Sequence, residues 1–201
     1  MSTPTGATEI AAEQSPAGHA AAAVGGKPQH HWAVGWLVVI VIAAAASVLL
    51  RAFVVQTFYV PSGSMEPTLQ VGDRILVQKT GFSLQRGDIV VFKHPKRDLA
   101  PPFNEDLVKR IIGLPGETIW SEGKTVYING QPLSEPWLAP GTALGIPITR
   151  QKIPPGEYFL MGDNRTDSLD SRIWGPISGS TIIGRVFLIV WRHGHPVLDT
   201  P

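Results

Sequence analysis

The chain has 201 residues, enough for one domain of ordinary size with something to spare. Its 17 Lys and Arg nearly balance 16 Asp and Glu, leaving +1 and no electrostatic footprint for nucleic acid. There is no cysteine, which excludes disulfides, thiolate metal sites and cysteine nucleophiles. Of the six histidines only His94, in the turn-like "FKHPKR", lies inside the region that reads as folded, and no metal-ligand spacing occurs. The expectation is therefore no metal and no cofactor.

Residues 1–31 are rich in Ala, Gly, Pro, Ser and Thr and carry no aromatic residue, so they read as a disordered tail. With no arginine and two glutamates, Glu9 and Glu13, the tail does not fit an organelle transit peptide. From Trp32 to Leu50 no charged residue occurs. As a helix that run would extend roughly 28 Å at ~1.5 Å per residue, close to the hydrocarbon thickness of a bilayer. Trp32 and Trp36 lie at one end, and Phe58 and Tyr59 follow the other, where interfacial aromatics belong. The run is longer than a signal-peptide core and lacks the polar face of a buried helix, so residues 32–55 are expected to form one transmembrane anchor. Lys27 and Arg51 flank it evenly, and charge alone assigns no orientation.

Past the anchor the texture changes to short apolar runs punctuated by Gly, Pro, Asn and Asp. "RILVQ" (74–78), "DIVVF" (88–92), "LVKRIIG" (107–113), "TVYI" (125–128), "EYFLMG" (157–162) and "RVFLIVW" (185–191) each predict a strand. Asn129-Gly130 predicts a hairpin, because a type I′ turn needs positive φ at both central residues. The expected fold is mainly β: an antiparallel sheet domain over 56–201, with a smaller β-rich insertion at 121–156 where Pro and Gly concentrate.

Three stretches carry chemistry. "PSGSMEPTL" (61–69) places Ser62 and Ser64 around Gly63. Serine and glycine are common turn formers, so alone the stretch predicts a bend. A serine hydroxyl becomes a nucleophile only when a base removes its proton. "LVKRIIGLPGE" (107–117) sets Lys109 beside Arg110 in an apolar strand, where alternation sends the two cations to opposite faces. A lysine turned into apolar surroundings has its pKa lowered; one turned to water merely protects a sheet edge. "MGDNRTDSLDSR" (161–172) is a polar loop whose side chains can knit it together, with Asp170–Arg172 or Asp–Arg165 pairing as the structural reading. Its acids do not match a calcium-loop pattern. Arg86-Gly87-Asp88 reads as a tight turn into the following strand.

Taken in order after one N-terminal anchor, "PSGSMEPTL", "RGDIVVF", "VKRIIGLPGE" and "GDNRTDSLDSR" resemble the type I signal peptidases of bacteria, over about residues 32–192. The resemblance implies a membrane-bound serine endopeptidase that removes signal peptides from exported preproteins, cutting after small residues in an A-x-A pattern. Ser64 matches the nucleophile and Lys109 the general base. Ser62 matches the residue whose hydroxyl joins the Ser64 N–H in the oxyanion hole. Ser168 matches the serine that orients the lysine, and Asp170 with Arg172 a supporting pair. Phe58, Val60, Met65, Leu69 and Val108 match the lining of shallow substrate pockets. The resemblance also implies an inward-facing tail, a catalytic domain outside the cytoplasmic membrane, substrate bound as an added β-strand, and contact with lipid. A monomer is expected. A soluble self-cleaving repressor-type Ser/Lys peptidase fits less well, because of the run at 32–50. A β domain that binds exported partners without catalysis would have lost Ser64, Lys109 or Ser168.

Overall fold

The computed structural model describes residues 31–95 and 106–201, with the side chains of His31, Ala33 and residues 50–53 left aside; most of the tail at 1–31 lies outside the described residues. The chain divides between Ile42 and Ala43 into two units. Helix α1 (His31–Phe53) is 23 residues long. From Val34 to Leu49 its side chains are exposed on all sides. That fully described stretch is shorter than the ~20 residues a span needs, and among the described residues no helix is long and apolar enough to cross a membrane. The helix stops at Phe53, and Val55 already belongs to a strand.

Twelve strands follow among the described residues. In chain order they are β1 (Val55–Tyr59), β2 (Arg74–Gln78), β3 (Ile89–Lys93), β4 (Asp106–Gly113), β5 (Thr118–Glu122), β6 (Thr125–Ile128), β7 (Gln131–Pro132), β8 (Gln151–Lys152), β9 (Glu157–Met161), β10 (Ile177–Ser178), β11 (Ile182–Arg192) and β12 (His195–Asp199). A one-turn helix, α2 (Ser171–Trp174), precedes β10. All six expected strands form, and all the pairings are antiparallel.

The larger sheet runs β1-β2-β11-β3-β4-β9-β10, with β12 also on β11. Its central strands are apolar without alternation because both faces are covered. On β3, Ile89 and Val91 join Val60, Met65, Leu69 and Val108 on one face, while Val90 and Phe92 join Ile111, Leu160 and Trp174 on the other. Strand β11 reaches two neighbours on one side by bulging at Ile182/Gly184 and again beyond, so its start pairs with β3 and its end with β12.

The insertion is a four-stranded sheet, β7-β6-β5-β8, that begins at Thr118 rather than at 121. Asn129 (φ 50) and Gly130 (φ 88) join β6 to β7 in the conformation the sequence required. Trp120 stacks on its cross-strand partner Tyr127 at 5.4 Å, and the Arg150 guanidinium lies 4.5 Å from the Trp120 ring centroid. Ile119, Val126, Ile153 and Phe159 fill the space between this sheet and the main one.

Candidate active site

Four segments meet here: the turn after β1, strand β4, the loop after β9, and the start of α2. Residues Gly63–Met65 make a single 3-10 turn. Ser62 occupies the N-cap position of that turn, yet its hydroxyl makes no capping bond. Its contact is the Ser64 hydroxyl, 3.4 Å away. A serine present only to form the turn would cap it, so this hydroxyl is left for another purpose.

Lys109 Nζ lies 2.5 Å from Ser64 Oγ, a hydrogen bond in which the ammonium donates. Once Nζ is deprotonated, the same contact lets its lone pair accept the serine proton. Strand register explains the burial. Lys109 sits opposite Val90, and cross-strand partners share a face. That face carries Ile111, Leu160 and Trp174 as well, so the lysine stem runs among apolar side chains and the residue is 3% exposed. Burial pushes the Lys109 amine down from 10.5 to about 8; the Asp170 carboxylate opposes this, the Arg172 guanidinium adds to it, and Asp163 opposes it.

Arg110, next along β4, turns the other way and is equally well accounted for. It makes a bidentate bond to Asp163, at 2.9 Å to Oδ1 and 2.7 Å to Oδ2, and donates to the Gly87 carbonyl at 2.7 Å. The Trp137 ring lies 4.8 Å from its guanidinium carbon. The alternation predicted for the two cations is thus resolved into a base-like lysine and a structural arginine.

The polar loop is knitted as its composition suggested. Asp170 is fully buried and accepts from the Gly162 N–H (3.0 Å), the Ser168 hydroxyl (2.8 Å) and Arg172 Nη2 (2.7 Å) through one oxygen. Its other oxygen takes the Arg172 N–H and Nε. Arg172 also donates to the carbonyls of Leu144 and Arg165. The arginine at 165 pairs not with an aspartate of the loop but with Glu135 of the insertion, at 2.5 Å. Ser168 was expected to touch the lysine. Its hydroxyl proton points instead to Asp170, and among the described residues Lys109 bonds only Ser64.

A cleft opens beside Ser64 and Lys109. Val60, Met65 and Val108 line it, together with Ser62 and Leu107. Phe58 and Leu69 are not among its lining: Leu69 is fully buried in the same core cluster as Met65, and Phe58 packs against that cluster. The cleft encloses about 260 Å³ including its open mouth. Among the described residues no group of His, Asp or Glu side chains is arranged to hold a metal ion.

Residues 33–191 match the family model described as "Signal peptidase, peptidase S26". The chain belongs to this family. It is 43% identical over 150 residues to signal peptidase I of Leptolyngbya laminosa, covering 71% of each chain. It is 40% identical over 148 residues to signal peptidase I of Bacillus licheniformis, covering 68% of this chain and 76% of the relative. Among solved structures, a signal peptidase I from Enterococcus faecalis matches with TM-score 0.43 and 30% identity, over 53% of this chain and 98% of that one.

Three contributors were not singled out in the sequence as site residues. Asn164 holds the nucleophile turn at two points: its N–H donates to the Ser64 carbonyl and its side-chain amide to the Gly63 carbonyl, each at 3.1 Å. Gly162 lies so close to this contact that a Cβ there would stand 2.4 Å from the Ser64 carbonyl oxygen and 2.3 Å from Ser168 Oγ. Thr68 donates to Asp163 at 2.6 Å and ties the chain beyond the turn to the Arg110 pair. "GDN" before the acidic loop was the available signal, but its partners are about 100 residues away in sequence.

Proposed function

We propose that the chain removes N-terminal signal peptides from exported preproteins, with Ser64 as nucleophile and Lys109 as general base. The observation that carries this reading is the 2.5 Å contact between Ser64 Oγ and a lysine whose amine burial has brought down to about 8. An ordinary lysine holds its proton too tightly to act near neutral pH. Neutral Lys109 takes the Ser64 proton as Oγ attacks the peptide carbonyl. The oxyanion that forms is met by the Ser64 N–H and the Ser62 hydroxyl, whose contact is the attacking Oγ itself. Protonated Lys109 then delivers its proton to the leaving amine as the C–N bond breaks, leaving an acyl group on Ser64. Water, deprotonated by Lys109, attacks the acyl ester and frees Ser64.

Ser168 steadies the site from behind: its proton is committed to Asp170, so its lone pairs are free to accept from the Lys109 amine. Val60, Met65 and Val108 receive a small side chain such as alanine in the shallow cleft beside Ser64. Phe58 and Leu69 act one layer back, by fixing Met65 and Val60.

Residues 32–53 anchor the enzyme in the cytoplasmic membrane as a single span, with the tail inside and the catalytic domain outside. The support is a helix with Trp32, Ile40, Ile42 and Leu49 all more than half exposed, a surface that water would not tolerate. The enzyme works as a monomer against the bilayer.

The test is cleavage of a preprotein with an A-x-A site by detergent-solubilised enzyme. Wild type cuts after the second alanine, Ser64→Ala and Lys109→Ala are inactive though folded, and Ser62→Ala loses about 10²–10³-fold in kcat. Activity surviving in Lys109→Ala would remove the base from this account. Retention of the protein in carbonate-washed membranes, and its release when 32–53 are deleted, tests the anchor.

A further inference from the structure

A second pocket is lined by the residues that directly follow the nucleophile turn, and it shares no lining residue with the cleft just described. Glu66 and Pro67 form its near wall, Leu138, Ala139 and Thr142 of the insertion its far wall, and residues 163–166 its floor. The turn thus has one recess before Ser64 and another after it. A peptide with its acyl side in the first and its scissile carbonyl at Ser64 can reach the second with its first residues beyond the cut, since an extended chain advances ~3.3 Å per residue and Glu66 is two residues from Ser64.

Three ionisable side chains line this second pocket, and two of them are neutralised. Asp163 is held by Arg110 at 2.7 Å, and Arg165 by Glu135 at 2.5 Å. Glu66 is exposed, and no hydrogen bond or ion pair engages its carboxylate among the described residues. That carboxylate folds back over the turn, its oxygens 3.2 and 3.4 Å from where a Cβ on Gly63 would stand. One uncompensated negative charge therefore sits at the mouth of the pocket, beside the nucleophile.

We propose that this pocket binds the leaving side of the substrate and that Glu66 selects there for a basic over an acidic side chain within the first two residues after the cut. The proposal rests on the signal-peptidase reading of Ser64. The charge is open to solvent, so the effect is that of an exposed pair, about two- to five-fold in kcat/KM, and it weakens as salt rises.

Three preproteins that share a signal peptide and A-x-A site, with Lys, Gln or Glu at the second residue after the cut, provide the test. They are compared at low and high salt with wild type, Glu66→Gln and Glu66→Lys. Taking the Lys-to-Glu ratio within each enzyme cancels any uniform loss of activity or folding. The expected ratio is about four- to twenty-five-fold in wild type at low salt, since it combines a gain with Lys and a loss with Glu. It falls toward one in Glu66→Gln, inverts in Glu66→Lys, and shrinks at high salt. A wild-type ratio near one, or a ratio that Glu66→Gln and Glu66→Lys leave unchanged, overturns the pocket assignment while cleavage itself upholds the enzyme. Failure of wild type to cut any of the three overturns both.

Discussion

At the scale of single residues, Lys109 carries a thermodynamic cost that its chemistry explains. Holding an amine at about 8 rather than 10.5 corresponds to about 3 kcal/mol of disfavoured charge. The folded state loses its proton before the unfolded state does, so between about 8 and 10.5 the unfolded chain binds more protons and stability rises with pH. Below about 8 both states are protonated and the full cost is present. Lys109→Met should therefore raise the melting temperature at pH 7, with the gain shrinking as pH approaches 10; a difference independent of pH would show that the buried charge is not the cause. Activity should follow the same amine, also climbing with pH but levelling above about 8, as read from kcat/KM against pH. Gly162 is constrained differently. With a Cβ placed 2.4 Å from the Ser64 carbonyl oxygen and 2.3 Å from Ser168 Oγ, something must move. Gly162→Ala should cost ~1–3 kcal/mol in urea unfolding and at least a hundredfold in kcat, because both displaced groups belong to the site.

At the scale of elements, the site is held by side chains that reach between strands. Arg110 of β4 and Asp163 after β9 are both buried, and Thr68 and Gly87 complete their bonds. Removing one partner of such a pair leaves the other charged in a dry interior. Asp163→Ala should therefore destabilise by ~3–5 kcal/mol, measured by chemical unfolding, even though Asp163 takes no part in proton transfer. The double variant Arg110→Met with Asp163→Leu should recover much of that loss. If it does not, the pair is not what the single variant exposes.

At the scale of the whole catalytic domain, the insertion is more than decoration. Glu135 receives Arg165, the Leu144 carbonyl receives Arg172, and Trp137 stacks on Arg110, so three side chains of the catalytic core are finished by groups between 118 and 152. Glu135→Ala should leave the Arg165 guanidinium buried and unpaired, with faster hydrogen exchange across 162–172 and reduced kcat. Unchanged exchange in that loop would make the contact incidental.

Much of this could be read from local pattern. The central strands are apolar runs bounded by turns, and Asn129-Gly130 can take few conformations other than the one it has. The serines, the lysine and the Asp170–Arg172 pair each had an ordinary structural reading by themselves, and only the four motifs taken together in order singled them out. The short strands β7, β8 and β10 escaped because two residues give no periodicity, and β1, β5 and β12 because their outward faces are polar or aromatic enough to blur the alternation. By itself, then, the sequence determined the β class, the order of the motifs and the residue types able to do the chemistry, since these follow from side-chain identity and spacing along one strand. Only the tertiary structure decided which of two adjacent buried cations reaches Ser64 and which pairs with Asp163, that Ser168 donates to Asp170, that Leu69 is enclosed in the core, and that Asn164 and Gly162 hold the nucleophile turn. Each of those depends on what lies opposite in space, up to about 100 residues away along the chain, and burial and hydrogen-bond direction are properties of that neighbour as much as of the residue itself.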